Sequence, residues 1–286
     1  MPLALALIAP LLAQVGPGTA LPQAPLEIHH QRATGSATLT VIPNTNRPDT
    51  NQMDACLALA KTDPEAAIRS AQNWLGSLTG SARAEPAHCL GVALAALGRW
   101  NEAETAFRDA RDDTPANERG SRAARGAMAG NAALAAGSAD RALIALDLAH
   151  GDAQAAEMTE LTGGIAVDRA RALVALGRGD EAGNALSEAR AKAPRNAQAW
   201  LLSATLARRE RKLAEAQAEI EMAAQLLPVD PEIALEAGVI AVLSGRDAAA
   251  RKSWASVIAV APGSGFAKTA QTYLDQLGPP PPPSPR

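Results

Sequence analysis

An all-α helical repeat array is the fold class this sequence predicts, on three observations. The first is composition: 47% of residues are hydrophobic but only 2% are aromatic, so alanine and leucine carry the apolar content. Alanine is the strongest helix former and its small side chain suits closely packed helices. A sheet protein draws more on valine, isoleucine, tyrosine and phenylalanine. The second is a period: Ala67, Ala103, Ala142, Ala182, Ala216 and Ala250 hold one place in a recurring pattern, at spacings of 36, 39, 40, 34 and 34. A period in the thirties with two helices per unit marks a stack of helical hairpins. The third is punctuation: Gly98, Gly137, Gly177 and Gly245 each follow the last apolar residue of a helix, where a left-handed residue ends the turn.

Taken in order, residues 1–20 read as a secretory signal peptide. Residues 2–13 are apolar but too short to span a bilayer, and small residues with cleavage points after Ala13 or Ala20 follow. No Lys or Arg precedes the apolar run, so an uncleaved tail on a cytoplasmic protein is the alternative. Residues 21–50, with Pro22, Pro25, Pro43 and Pro48 and no helical period, read as a disordered linker in which His29 and His30 are solvated. Six units are expected at about 51–83, 84–117, 123–156, 163–196, 197–230 and 231–264, the first of them degenerate. A capping helix at 265–278 follows, with Phe266, Ala270, Tyr273, Leu274 and Leu277 on one face. Residues 279–286 form a proline-rich tail suited to polyproline II. Asp63-Pro64-Glu65 and Asp230-Pro231-Glu232 read as helix starts, and Asn101, Asp140 and Asp180 as N-caps of second helices.

The best-formed unit carries Leu90, Gly91, Leu94, Gly98, Trp100, Ala103, Phe107, Ala110 and Pro115. Leu173, Gly177, Ala182, Leu186, Ala189 and Pro194 repeat it, as do Trp200, Ala204, Ala216, Ile220, Ala223 and Pro228, and Gly238, Gly245, Ala250, Trp254 and Pro262. A looser copy has Gly130, Gly137, Ala142, Leu146 and Ala149 without a closing proline. On these residues the stretch of about 50–264 resembles the tetratricopeptide repeat family. That resemblance implies a right-handed solenoid of helical hairpins with a C-terminal capping helix, and a protein or peptide partner held in the groove lined by first helices.

Composition excludes some chemistry. Twenty-seven basic residues against thirty acidic ones give a formal charge of -3, which is no footprint for nucleic acid. No cofactor, no metal site and no catalytic residue are expected, because no glycine-rich phosphate loop and no His/Cys cluster has ligand spacing. No integral membrane span is expected either. The groove positions implied by the resemblance are His88, Val92, Asn131, Arg171, Leu201, Thr205, Arg208, Arg209, Leu235 and Val239. Arg171, Arg208 and Arg209 together read as a basic patch for a partner's carboxylates, against ordinary solvated or helix-pairing arginines. The family's carboxylate-clamp pattern of lysines and asparagines is not reproduced. Cys56 and Cys89 lie near the starts of two successive repeats, and both a disulfide and two buried thiols fit that placement. The functional expectation is a non-enzymatic, periplasmic or secreted scaffold of the cell envelope. A cytoplasmic or co-chaperone-like adaptor is the alternative.

Overall fold

The computed structural model describes residues 48–279, with side chains from residue 52 onward. The expected signal peptide, nearly all of the linker and all but the first residue of the proline-rich tail lie outside the described residues. Thirteen α-helices and no strand occur among the described residues. They are α1 (Pro48–Thr62), α2 (Pro64–Leu75), α3 (Ala84–Ala96), α4 (Trp100–Asp113), α5 (Arg119–Ala135), α6 (Ala139–Ala155), α7 (Thr159–Ala175), α8 (Gly179–Lys192), α9 (Ala197–Arg209), α10 (Leu213–Leu226), α11 (Pro231–Leu243), α12 (Asp247–Val260) and α13 (Gly265–Leu277). The first helix thus begins inside the segment expected to be linker. A 3-10 turn at Gly80–Arg83 precedes α3.

The described residues form two compact units that divide between Ala145 and Leu146, within α6. In the N-terminal unit α1 packs on α2 and α3, and α4 lies between α3 and α5. In the C-terminal unit α7–α8, α9–α10 and α11–α12 are antiparallel hairpins, and each second helix also packs on the next first helix. The first helices α7, α9, α11 and α13 additionally touch one another in succession. That closer spacing makes their row the inner side of the unit.

The periodic alanine explains itself in the packing. Ala67, Ala103, Ala142, Ala182, Ala216 and Ala250 are all 0% exposed. Four residues later, in every unit but the first, the second helix presents a large buried side chain: Phe107, Leu146, Leu186, Ile220 or Trp254. Residue size is matched across the hairpin. Gly91 faces Phe107 and Gly238 faces Trp254 so closely that a Cβ at either glycine would overlap the ring. Where the second helix brings Ile220 instead, Ala204 fits in the same cluster.

Turns repeat the same chemistry. Gly98, Gly137, Gly177 and Gly245 adopt φ of 70°, 75°, 73° and 72°. The next residue then donates its N–H across the helix end: Arg99 to Leu94, Ser138 to Ala133, Arg178 to Leu173 and Arg246 to Ala241, at 2.8–3.0 Å. In the fifth unit Arg211 occupies the glycine position at φ 65°, and Lys212 makes the equivalent bond to Ala207. The exposed Arg211 bears a steric cost that glycine avoids. Arg211→Gly is expected to raise stability by about 0.5–1 kcal/mol in chemical denaturation.

Helix starts depart from expectation at three places. The helices begin at Trp100, Ala139 and Gly179, so Asn101, Asp140 and Asp180 lie in the first turn and are not caps. At two of them the cap is an arginine clasping a glutamate three residues on. Arg99 donates to Glu102 at 2.6 and 2.8 Å, and Arg178 to Glu181 at 2.6 and 2.7 Å. Asn101 is thereby released to accept from Arg141 at 2.7 Å. Asp63 and Asp230 do cap, accepting from Ala66 (2.9 Å) and from Glu232 and Ile233 (2.9 and 3.0 Å). The helices α5, α6 and α7 run to 17 residues each, about a turn longer than most of the others, which accounts for the wider spacings of 39 and 40. The third and fourth hairpins accordingly start at Arg119 and Thr159, ahead of the expected 123 and 163.

Candidate functional site

Cys56 on α1 and Cys89 on α3 are joined as a disulfide, with Cα atoms 6.2 Å apart at a sequence separation of 33. Both are buried, within a cluster that includes Met53 and Ala71. One turn before the Phe107 pocket, His88 is half-buried with its ring edge-on to Phe107 at 6.1 Å. Val92 packs on the same core, and Asn131 is half-buried on α5. Burial, and then the positive charge of Arg125, lower the His88 imidazole to about 4. Arg125 is itself held by Glu85 at 2.5 Å.

That depressed value has a definite sign. Between pH 6.5 and 4 the unfolded chain binds a proton at His88 that the folded chain refuses. The resulting penalty on the folded chain is absent above 6.5 and grows to its full size as pH falls through 4, so stability is lost across that window. After allowance for partial exposure the shift corresponds to roughly 2–3 kcal/mol. Denaturant midpoints measured from about pH 7 to about pH 4 are expected to fall less steeply in His88→Leu than in the parent chain.

In the C-terminal unit the arginines expected to form a basic patch are mostly neutralised. Arg171 on α7 donates to Asp168 at 2.6 Å and to Gln198 on α9 at 3.0 Å. Gln198 in turn donates to Glu232 on α11 at 3.4 Å. Arg208 is only 8% exposed and its Nε donates to Glu236 on α11 at 2.5 Å. Of the three arginines, Arg209 alone stands exposed without an ion pair among the described residues. The inner row therefore carries a mixed polar ladder, not a positive surface. Burial raises the Glu232 carboxyl, with Gln198 and Arg171 opposing and Asp230 and Glu236 adding to it.

Leu201, expected in the groove, lies in the core instead. It is 2% exposed and sits in the core with Ala197, Ala204, Ile220 and Ile233, because its place on α9 faces α10 instead of the inner row. Thr205 is half-buried and returns its hydroxyl to Leu201 O at 3.0 Å. Leu235 and Val239 are half-buried on α11 and supply apolar surface. Sequence reasoning missed Asp168, Gln198, Glu232 and Glu236. One signal pointed to two of them: Gln198 and Glu232 are 34 residues apart, one repeat, and so occupy equivalent positions on adjacent first helices. Among the described residues no three His, Cys, Asp or Glu side chains are grouped to hold a metal, and no helix is long and apolar enough to cross a membrane.

Neither a family model nor a curated protein sequence matches the chain. Solved structures do. PilW, described as a widely conserved type IV pilus biogenesis factor, superposes with a TM-score of 0.64 at 16% identity, over 79% of this chain and 99% of its own. Pseudomonas aeruginosa PilF gives 0.61 at 15% identity, over 80% of this chain and 100% of its own. A thermophilic tetratricopeptide-repeat protein from Thermus thermophilus gives 0.53 at 22% identity, over 66% of this chain and 97% of its own. At these identities the likeness concerns backbone architecture. Together with the buried alanine period, the left-handed turns and the size-matched hairpin crossings, it establishes that the chain has the fold of the tetratricopeptide-repeat proteins.

Proposed function

We propose that the chain is a non-enzymatic interaction scaffold of the cell envelope, binding a protein or peptide along the inner row α7, α9 and α11. The observation that carries this is the composition of that row. Arg171, Gln198 and Glu232 alternate donors and acceptors across three successive helices, while Leu235 and Val239 lie beside them as apolar surface. A polypeptide offers matching amide groups and side chains, and an open face of this kind encloses no small substrate. An envelope address is supported by the apolar segment at 2–13 and the buried Cys56–Cys89 disulfide, which suits an oxidising compartment. Likeness to PilF and to the pilus biogenesis factor PilW is consistent with it.

Because Arg208 is sequestered, the exposed Arg209 and the half-buried Val239 are the positions to change. Capture from envelope extracts by the intact chain is expected to yield a partner that is lost with Arg209→Glu/Val239→Gln, at unchanged helix content and melting temperature. Retention of the same partner by the folded variant contradicts inner-row binding. Fractionation of cells expressing the chain tests the address separately.

A further inference from the structure

Away from the inner row, the fourth and fifth hairpins leave a cavity of about 290 Å³ bounded by the start of α8, the end of α9 and the start of α10. Four carboxylates line it (Asp180, Glu210, Glu215 and Glu219) against two cations, Arg190 and Lys212. Both cations are already engaged. Arg190 donates to Glu219 Oε1 at 2.6 Å and lies over the Trp200 ring at 5.4 Å, and Lys212 pairs with Glu210 at 2.7 Å. Asp180 and Glu215 have no ion pair among the described residues.

Glu219 supplies an independent sign. It is 7% exposed, and while Oε1 is held by Arg190, Oε2 is buried without a hydrogen-bond partner. A carboxylate oxygen withdrawn from water and given no donor is costly, and a cationic donor relieves that cost most effectively. Burial, with Glu215 adding to it, lifts the Glu219 carboxyl to about 6, so it remains mainly ionised above neutral pH. What the cavity lacks is one more positive donor.

We propose that this cavity binds an organic cation, an alkylammonium or guanidinium group, inserted beside Asp180, Glu215 and Glu219. Its size accommodates a lysine or arginine side chain of a partner, or a free diamine of similar length. A bound cation bridges α8 and α10, and so ties two successive hairpins together. Ser203, Leu206 and Ala207 of α9 form part of its wall, but none of the inner-row residues Arg171, Gln198, Glu232, Leu235 and Val239 lines it.

Calorimetric titration of the full chain with agmatine at low ionic strength and slightly alkaline pH tests the proposal. Saturable binding is expected, weakened roughly tenfold or more in Asp180→Asn/Glu215→Gln. Both substituted side chains are exposed, so that variant is expected to keep its fold, and its melting curve verifies this. Val239→Gln, which changes no charge, is expected to bind agmatine as the parent does, which separates this site from the inner row. No saturable heat, or equal affinity in the charge-neutralised variant, overturns the proposal. A capped peptide with a single lysine identifies the source: binding equal to agmatine assigns the occupant to a partner's side chain, and binding of agmatine alone assigns it to a free small-molecule cation.

Discussion

Trp254→Ala is expected to destabilise the C-terminal unit by about 3–5 kcal/mol, as large-to-small changes at buried aromatic positions do. Trp254 is 1% exposed, its Nε1 donates to Leu235 O at 3.1 Å, and its ring rests against Tyr273 of α13 at 5.2 Å. Truncation thus empties the crossing of α11 and α12, removes the second donor to the Leu235 carbonyl and loosens the capping helix. The reciprocal change makes the same point from the opposite side. Gly238→Ala improves helix propensity by about 1 kcal/mol but drives a methyl into the indole, and overpacking of this kind costs about 1–3 kcal/mol. The methyl is expected to prevail, because the indole is pinned by its hydrogen bond and fully enclosed. Pairing Gly238→Ala with Trp254→Leu recreates the alanine–aliphatic match of Ala204 and Ile220, so the double variant is expected to be more stable than the two single effects sum to. Urea denaturation of the four proteins measures the coupling. Additivity contradicts the size-matching account.

Loss of the Cys56–Cys89 bridge is the second large effect. The bridge closes a loop of 33 residues, for which chain entropy alone predicts about 3–4 kcal/mol. Both sulfurs lie among Met53, Ala71 and the partly buried Leu57, Trp74 and Leu90, so serine hydroxyls there add a desolvation cost. Cys56→Ser/Cys89→Ser is expected to destabilise the N-terminal unit by at least that amount, read from its unfolding midpoint. Cys56→Ala/Cys89→Ala isolates the covalent contribution from the polar one. Thiol titration of the denatured, non-reduced chain is expected to detect no free thiol, and two free thiols contradict the bridge.

Much of the fold was legible because it is written one repeat at a time. The alanine at each hairpin crossing, the glycine at four of the turns and the capping Asp63 and Asp230 are local requirements of backbone and volume, and each recurs. The extra turns of α5, α6 and α7 were visible only as irregular spacing, since Arg119–Gly120 and Thr159–Glu160 carry no start signal stronger than their neighbours. At 99 and 178 an arginine–glutamate clasp replaces the short polar cap that Asn101 and Asp180 suggested, so those caps were misplaced by two residues. The site was legible only as positions. That Arg171 and Arg208 lie on first helices follows from register, but whether they stay free depends on Asp168 and Glu236. The latter lies on another helix 28 residues away and one hydrogen bond from Arg208. Leu201 illustrates the same limit: a shift of about 100° around α9 separates an inner-row position from a core one.

Site-specific photo-crosslinking in cells reports directly on whether the inner row binds a polypeptide. A photoreactive residue at Thr205 or Val239 on the inner row, and at the exposed Ser187 or Ala218 on second helices, samples both sides of the C-terminal unit. The account predicts a discrete adduct with another polypeptide from the inner-row positions and none from the outer ones. Adducts from Ser187 or Ala218 alone contradict it.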